Sequence, residues 1–132
     1  CSILMMMLFS CKKENNTPNM TDEELPTVSV VLSSGNFANA VHPTSGTVKV
    51  IKDASDKRFL LFENFKTDGG PDLRVWLSPT TSANPFQEIG LLKATNGNFS
   101  YELPATFDPV TNNKVLIWCK QFGVLFGSAT LQ

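Results

Sequence analysis

The sequence predicts an all-β fold: a single antiparallel β-sandwich or barrel-like domain of about 7–9 short strands. Three observations predict it. Apolar and polar residues alternate with period two in several short segments, the signature of half-buried strands. Clusters of turn-forming residues separate these segments roughly every 8–12 residues. No window keeps a helical periodicity for more than about two turns.

Taken in order, the first predicted turn of the domain is Ser33-Ser34-Gly35-Asn36. Thr47 to Lys52 and Arg58 to Phe65 then form a predicted hairpin across Asp53-Ala54-Ser55-Asp56-Lys57. Phe59-Leu60-Leu61-Phe62 is apolar on both faces, which places it near the centre of the fold. After the turn at Asp68-Gly69-Gly70-Pro71, Leu73, Val75 and Leu77 alternate with Asp72, Arg74, Trp76 and Ser78. Turns at Ser82-Ala83-Asn84-Pro85 and Asn96-Gly97 precede a strand in which Phe99, Tyr101 and Leu103 point one way. Beyond Asp108-Pro109, Val115, Ile117 and Cys119 share a face, and the chain then turns tightly into a last strand toward Leu131. A slip of one residue would turn any of these apolar faces outward, so each register is well specified.

The N-terminus reads differently. Ile3 to Phe9 is wholly apolar and far shorter than the ~20 residues of a spanning helix, so it resembles the apolar region of a signal peptide. Leu8-Phe9-Ser10-Cys11 resembles a bacterial lipobox, with Cys11 as the residue that takes lipid. Lys12 to Pro26 is rich in Asn, Lys, Glu and Thr, the composition of a tether. The expected organisation is residues 1–10 as the remnant of a signal peptide, 11–27 as lipidated cysteine and flexible tether, and 28–132 as the β domain. The tether up to Pro26 is expected to make few contacts with that domain. The implied setting is a bacterial protein that is exported and anchored by N-terminal lipid to the outer membrane or cell surface. The membrane would then be its first partner.

Composition narrows the chemistry. A net charge of −1 without a basic cluster lacks the electrostatic footprint of a nucleic-acid binder. Ten phenylalanines against one tyrosine indicate aromatics that fill a core. His42 is the only histidine, so a zinc set rich in nitrogen and sulfur cannot be assembled, and with no Gly-x-Ser-x-Gly elbow no paired hydrolytic set is visible. The domain also lacks methionine from Val28 onward, which removes the Met/His axial pair of a haem. A haem or metal would have to recruit His42, Cys119 or both, and the sequence itself names no cofactor.

Four groups of residues stand out as candidates. In Asp68-Gly69-Gly70-Pro71-Asp72, the glycines permit positive φ and Asp72 can cap the turn. Asp68, Asp72 and Glu63 could offer oxygens to a hard cation, but their spacing fits no familiar loop and favours a structural turn. His42 is either a ligand or a loop histidine bonded to backbone. Trp76 and Trp118 fall on the polar-patterned sides of their strands, where they either form a partner surface or cover the outer face beneath a loop. Cys119 is the lone thiol of the domain. Its chemistry alone favours a small buried core residue over a reactive group. Its place at a strand end predicts a sulfur that is partly sheltered.

His42-Pro43-Thr44-Ser45-Gly46, Phe62 to Ser78 with its Gly-Pro-Asp turn, Ile89 to Lys93, Tyr101 to Pro104, and Trp118-Cys119-Lys120 through Phe126-Gly127-Ser128-Ala129 together resemble the DM13 domain. Members of that family accompany DOMON domains in animals and are often lone lipoproteins in bacteria. The resemblance implies a small extracellular β-rich domain with a characteristic cysteine at Cys119. It also implies a role in electron transfer or oxidative modification, with a redox partner protein or a surface ligand. The alternative is a non-catalytic binding or structural module on the cell surface.

Overall fold

The computed structural model describes residues 20–22, 24–28 and 30–132, and among them the fold is all-β without a helix. The strands are β1 (Met20–Asp22), β2 (Val30–Asn39), β3 (Thr44–Lys52), β4 (Arg58–Thr67), β5 (Leu73–Ser78), β6 (Gln87–Leu91), β7 (Asn96–Leu103), β8 (Lys114–Cys119) and β9 (Val124–Thr130). They form one sheet in the order β1-β7-β4-β3-β2-β9-β8-β5-β6. Every pairing is antiparallel except the short parallel contact of β1 with β7.

The sheet curls into an almost closed barrel because β2 belongs to both of its halves. Val30 to Asn36 pairs with β3, whereas Phe37 to Asn39 pairs with β9. At the crossover, a Cβ on Gly35 would fall inside the backbone carbonyl of Thr130, so only glycine lets the two strands pass this closely. A second close approach sets Gly127 of β9 against the Thr44 side chain and the Ala38 carbonyl. On the far side, Tyr101 of β7 spans the remaining gap: its hydroxyl donates to the Leu91 carbonyl at 2.8 Å and accepts from the Lys93 amide at 2.8 Å.

Inside lies one apolar core. The predicted inward faces of β5, β7 and β8 all meet in it, with Val48, Val50, Leu60, Phe62 and Phe65 from β3 and β4. Phe62 is its hub, stacked on Phe99 at 4.8 Å and edge-on to Phe65 at 5.3 Å and Tyr101 at 5.7 Å. Such pairs add to the burial of the rings themselves. The expected double-sided burial of β4 is seen in Leu60, Leu61 and Phe62, and the β3–β4 hairpin crosses residues 53–57 as expected.

Three expectations are corrected. Ser33 to Asn36 is strand, not turn: the hydroxyl, glycine and amide residues lie on a mostly exposed strand, and Gly35 answers to packing against Thr130. Asn96-Gly97 likewise opens β7, with Gly97 at a φ of 122°. Finally, β1 adds to β7 by backbone pairing, and residues 24–27 line a cleft with Phe59 and Ser100, so the end of the expected tether does touch the domain. Backbone pairing at an open sheet edge does not depend on side-chain composition. The apolar leader and Cys11 lie outside the described residues.

Replacing Gly35 with Ala should destabilise the fold by about 1–3 kcal/mol, the usual cost of forcing atoms into a filled site. The midpoint of urea unfolding would fall accordingly, and an unchanged midpoint would show that β2 can shift away from Thr130.

Candidate functional site

One end of the barrel gathers most of the residues singled out in the sequence. Four connections meet there: 40–43, 68–72, 92–95 and 120–123. Backbone bonds tie them together. The Lys120 amide donates to the Asp72 carbonyl, the His42 amide to Phe126, the Leu92 amide to Leu73, and the Thr67 amide to Thr95. Beneath the first connection, the buried hydroxyls of Thr44 and Thr67 bond each other at 3.1 Å, and the Thr44 amide donates to Asn39 Oδ1 at 2.9 Å. We call this end the crown.

Cys119 closes β8 at the crown, and its side chain is 0 % exposed. Leu73 faces it from β5 and Val124 from β9, both apolar, and the Lys120–Asp72 backbone bond seals the strand end above it. The expected partly sheltered sulfur is therefore fully buried. Position along one strand could not show this, because the neighbours that cover the sulfur come from two others. The thiol is free, with no second cysteine among the described residues.

His42 does not bond to backbone through its ring. Its Nδ1 lies 2.9 Å from Asp68 Oδ2, and the ring rests on Phe126 with centroids 3.9 Å apart. The histidine thus roofs one of the core aromatics and pins the Asp68 turn. Neither Gly69 nor Gly70 in that turn has positive φ, contrary to expectation. A Cβ on Gly70 would lie 3.0 Å from the Phe126 ring and 3.1 Å from Leu73, so a side chain there would have to displace both by a few tenths of an ångström.

Asp72 does not cap the turn with its carboxylate. It holds Arg74 through two contacts, 2.6 Å to Nε and 3.3 Å to Nη2. Arg74 reaches on to Glu88 Oε1 at 3.2 Å, and that same oxygen accepts from Trp76 Nε1 at 3.0 Å. Hydrogen bonding from Arg74 lowers the Asp72 pKa below the ordinary carboxylate range. Glu63 is engaged elsewhere, with Lys49 at 2.7 Å. Among the described residues no three His, Cys, Asp or Glu side chains converge as a metal site would need. His42 is committed to Asp68 and Cys119 to apolar neighbours, which is a poor fit to a shared haem or metal ligand set.

The tryptophans occupy the outer face of the β5–β8 half. Trp76 is buried, stacked on Phe86 at 3.8 Å and on Trp118 at 5.2 Å. Ala83 and Phe86 bring the 79–86 connection back over it, so of the two readings the covered face holds for Trp76. Trp118 remains half-buried. Phe86 and Glu88 were missed in the sequence. No sequence pattern marks them, because the pairing of Trp76 with Glu88 depends on a bulge between Val75 and Trp76. A cleft of about 600 Å³ where β2 changes partners is lined by Ser34, Asn36, Thr47, Ser128 and Thr130 and holds none of the candidates.

With this geometry in view, the comparisons place the chain in a family. The family model described as "Electron transfer DM13" matches residues 36–131, and the chain belongs to that family. No curated protein and no solved structure matches it significantly.

The Asp72–Arg74 pair makes a pH prediction. A carboxylate whose folded pKa is depressed contributes stability that is present above its unfolded value, about 3.9, and is lost as pH falls through the folded value. Asp108 contributes to the same acid loss, held low by amide bonds from Thr111 and Val110. Asp72→Asn should lower the unfolding midpoint at pH 7 and flatten, without abolishing, its decline between pH 4 and pH 2. An unaltered acid profile would show that the pair is not coupled to folding.

Proposed function

We propose that this chain is an envelope lipoprotein whose DM13 domain exchanges electrons through the Cys119 thiol. The family match carries the redox role. The Leu8-Phe9-Ser10-Cys11 pattern after an apolar run supports export and lipid attachment at Cys11. Support for the thiol is its place in the family pattern, directly below the exposed turn Lys120-Gln121-Phe122-Gly123. Opening of that turn alone would uncover the sulfur while the rest of the barrel stays folded, the kind of local event that costs less than global unfolding.

The chemistry then follows from a single thiol. A hydroperoxide passes one oxygen to the thiolate sulfur as its O–O bond breaks. The sulfur is oxidised by two electrons to the sulfenic acid, and the peroxide leaves as water or alcohol. An external thiol condenses with the sulfenic acid to a mixed disulfide and water, and a second external thiol restores Cys119. The second partner must come from outside, since no resolving cysteine lies among the described residues.

A second reading is favoured by the burial itself: Cys119 as core filler in a non-catalytic binding or structural module. The two readings separate by experiment. Gly123 adopts a φ of 64°, so Gly123→Val should strain the turn by about 1–3 kcal/mol and populate the open hairpin. Oxidation of Cys119 by peroxide, followed by mass spectrometry of the folded chain, should then accelerate roughly 5- to 30-fold for one or two kcal/mol. A rate equal to that of global unfolding in both proteins would leave Cys119 as filler. Intact mass of membrane-extracted chain tests the anchor: lipid on Cys11 is expected, and an unmodified Cys11 with an uncut leader would reject it.

A further inference from the structure

Three large apolar side chains stand exposed at the crown without a partner among the described residues. Val41 is 66 % exposed in the first connection, Phe122 64 % in the β8–β9 turn, and Leu91 61 % at the end of β6. The backbone bond from Val41 to Leu125 sets Val41 beside the start of β9, next to the turn that carries Phe122. Leu91 pairs with Arg74, and Arg74 with Trp118, so a row of outward residues joins Leu91 to that turn across the sheet. Lys66 and Lys120, both exposed and in no ion pair among the described residues, also belong to this end.

The path of the chain says what would meet this surface. β1 runs parallel to β7 with Met20 opposite Asn96, so the polypeptide enters the sheet where β7 begins, which is the crown. Cys11 precedes Met20 by nine residue steps, at most about 30 Å when fully extended. A lipid on Cys11 would attach the domain to the bilayer from its crown side, so the crown is the end nearest the anchor. A short tether of this kind raises the effective concentration of a second, weak contact to about the millimolar range. Exposed aliphatic and aromatic tips with neighbouring lysines suit the apolar–anionic boundary of a lipid headgroup layer.

We infer that the crown is a membrane-docking surface, with Val41, Phe122 and Leu91 seated in the lipid interface to which Cys11 is anchored. The inference rests on the anchor reading above. In this orientation Cys119 lies at the membrane-proximal end of the barrel, and the open hairpin would face the lipid boundary.

The test uses the full lipidated chain in vesicles of phosphatidylethanolamine and phosphatidylglycerol carrying brominated acyl chains, which quench nearby tryptophan. Phe122→Trp should add a quenched signal over that of the unsubstituted protein. Val110→Trp, at the opposite end and 86 % exposed, should add an unquenched one, with at least a twofold difference between them. Adding Val41→Ser and Leu91→Ser to Phe122→Trp should remove the difference while the chain stays with the vesicles. A chain carrying lipid but quenched equally at both ends overturns docking and leaves the anchor intact. A chain without lipid on Cys11 overturns both, and self-association that protects Phe122→Trp in the absence of vesicles assigns the surface to a second copy instead.

Discussion

The whole structure depends on one strand being shared. β2 gives its first half to β3 and its second half to β9, and no other strand joins the two halves of the sheet. The join is possible only where the chain comes closer than a side chain on glycine permits, at Gly35 against the Thr130 backbone and at Gly127 against the Ala38 carbonyl and the Thr44 side chain. A core enclosed on both sides follows from that closure, because each half alone would leave Phe62 and its aromatic neighbours facing water. The free energy of burying such rings is a main driving term of folding. Two small residues at the seam thereby determine whether the large ones are buried.

Closure also decides the environment of the thiol. Cys119 lies on β8, in one half of the barrel, and shares its core with Phe62 and Phe99 from the other half. The crown connections then seal the strand ends through the Lys120–Asp72, His42–Phe126 and Leu92–Leu73 backbone bonds. Polar chemistry at this end is spent on fixing the loops. His42 holds Asp68, Asp72 holds Arg74, and Glu88 holds both Arg74 and Trp76. Any reaction at the sulfur must therefore be reached by motion of the turn, since the resting geometry gives a reagent no access.

Strands that bury one face were legible in the sequence. Leu73-Val75-Leu77, Phe99-Tyr101-Leu103 and Val115-Ile117-Cys119 all face the core as their alternation demands. β2 was not legible, because only Phe37 along its length is buried and its exposed Ser-Ser-Gly-Asn run carries the composition of a turn. β6 was equally weak, a five-residue edge strand with no fully buried position. At the crown, the sequence could show that Cys119 points inward but not how deep it lies, because Leu73 and Val124 supply the cover. Nor could spacing reveal the His42–Asp68 contact, which joins residues 26 apart through the pairing of Thr44 with Thr67.

The end of β8 carries the outer tryptophan stack and the core thiol on adjacent residues. Trp118 points outward into the stack with Trp76, while the next residue, Cys119, points into the core. Between Ile117 and Trp118 the register with β9 shifts, so the last two residues of β8 pair with Leu125 and Val124 beyond an irregularity. Such a bulge interrupts the β8–β9 ladder locally, while the β8–β5 ladder runs unbroken to Cys119. The turn that would have to open to expose the sulfur follows directly on Trp118 and Cys119. A surface that engaged Phe122 in that turn would act directly on the cover of the sulfur.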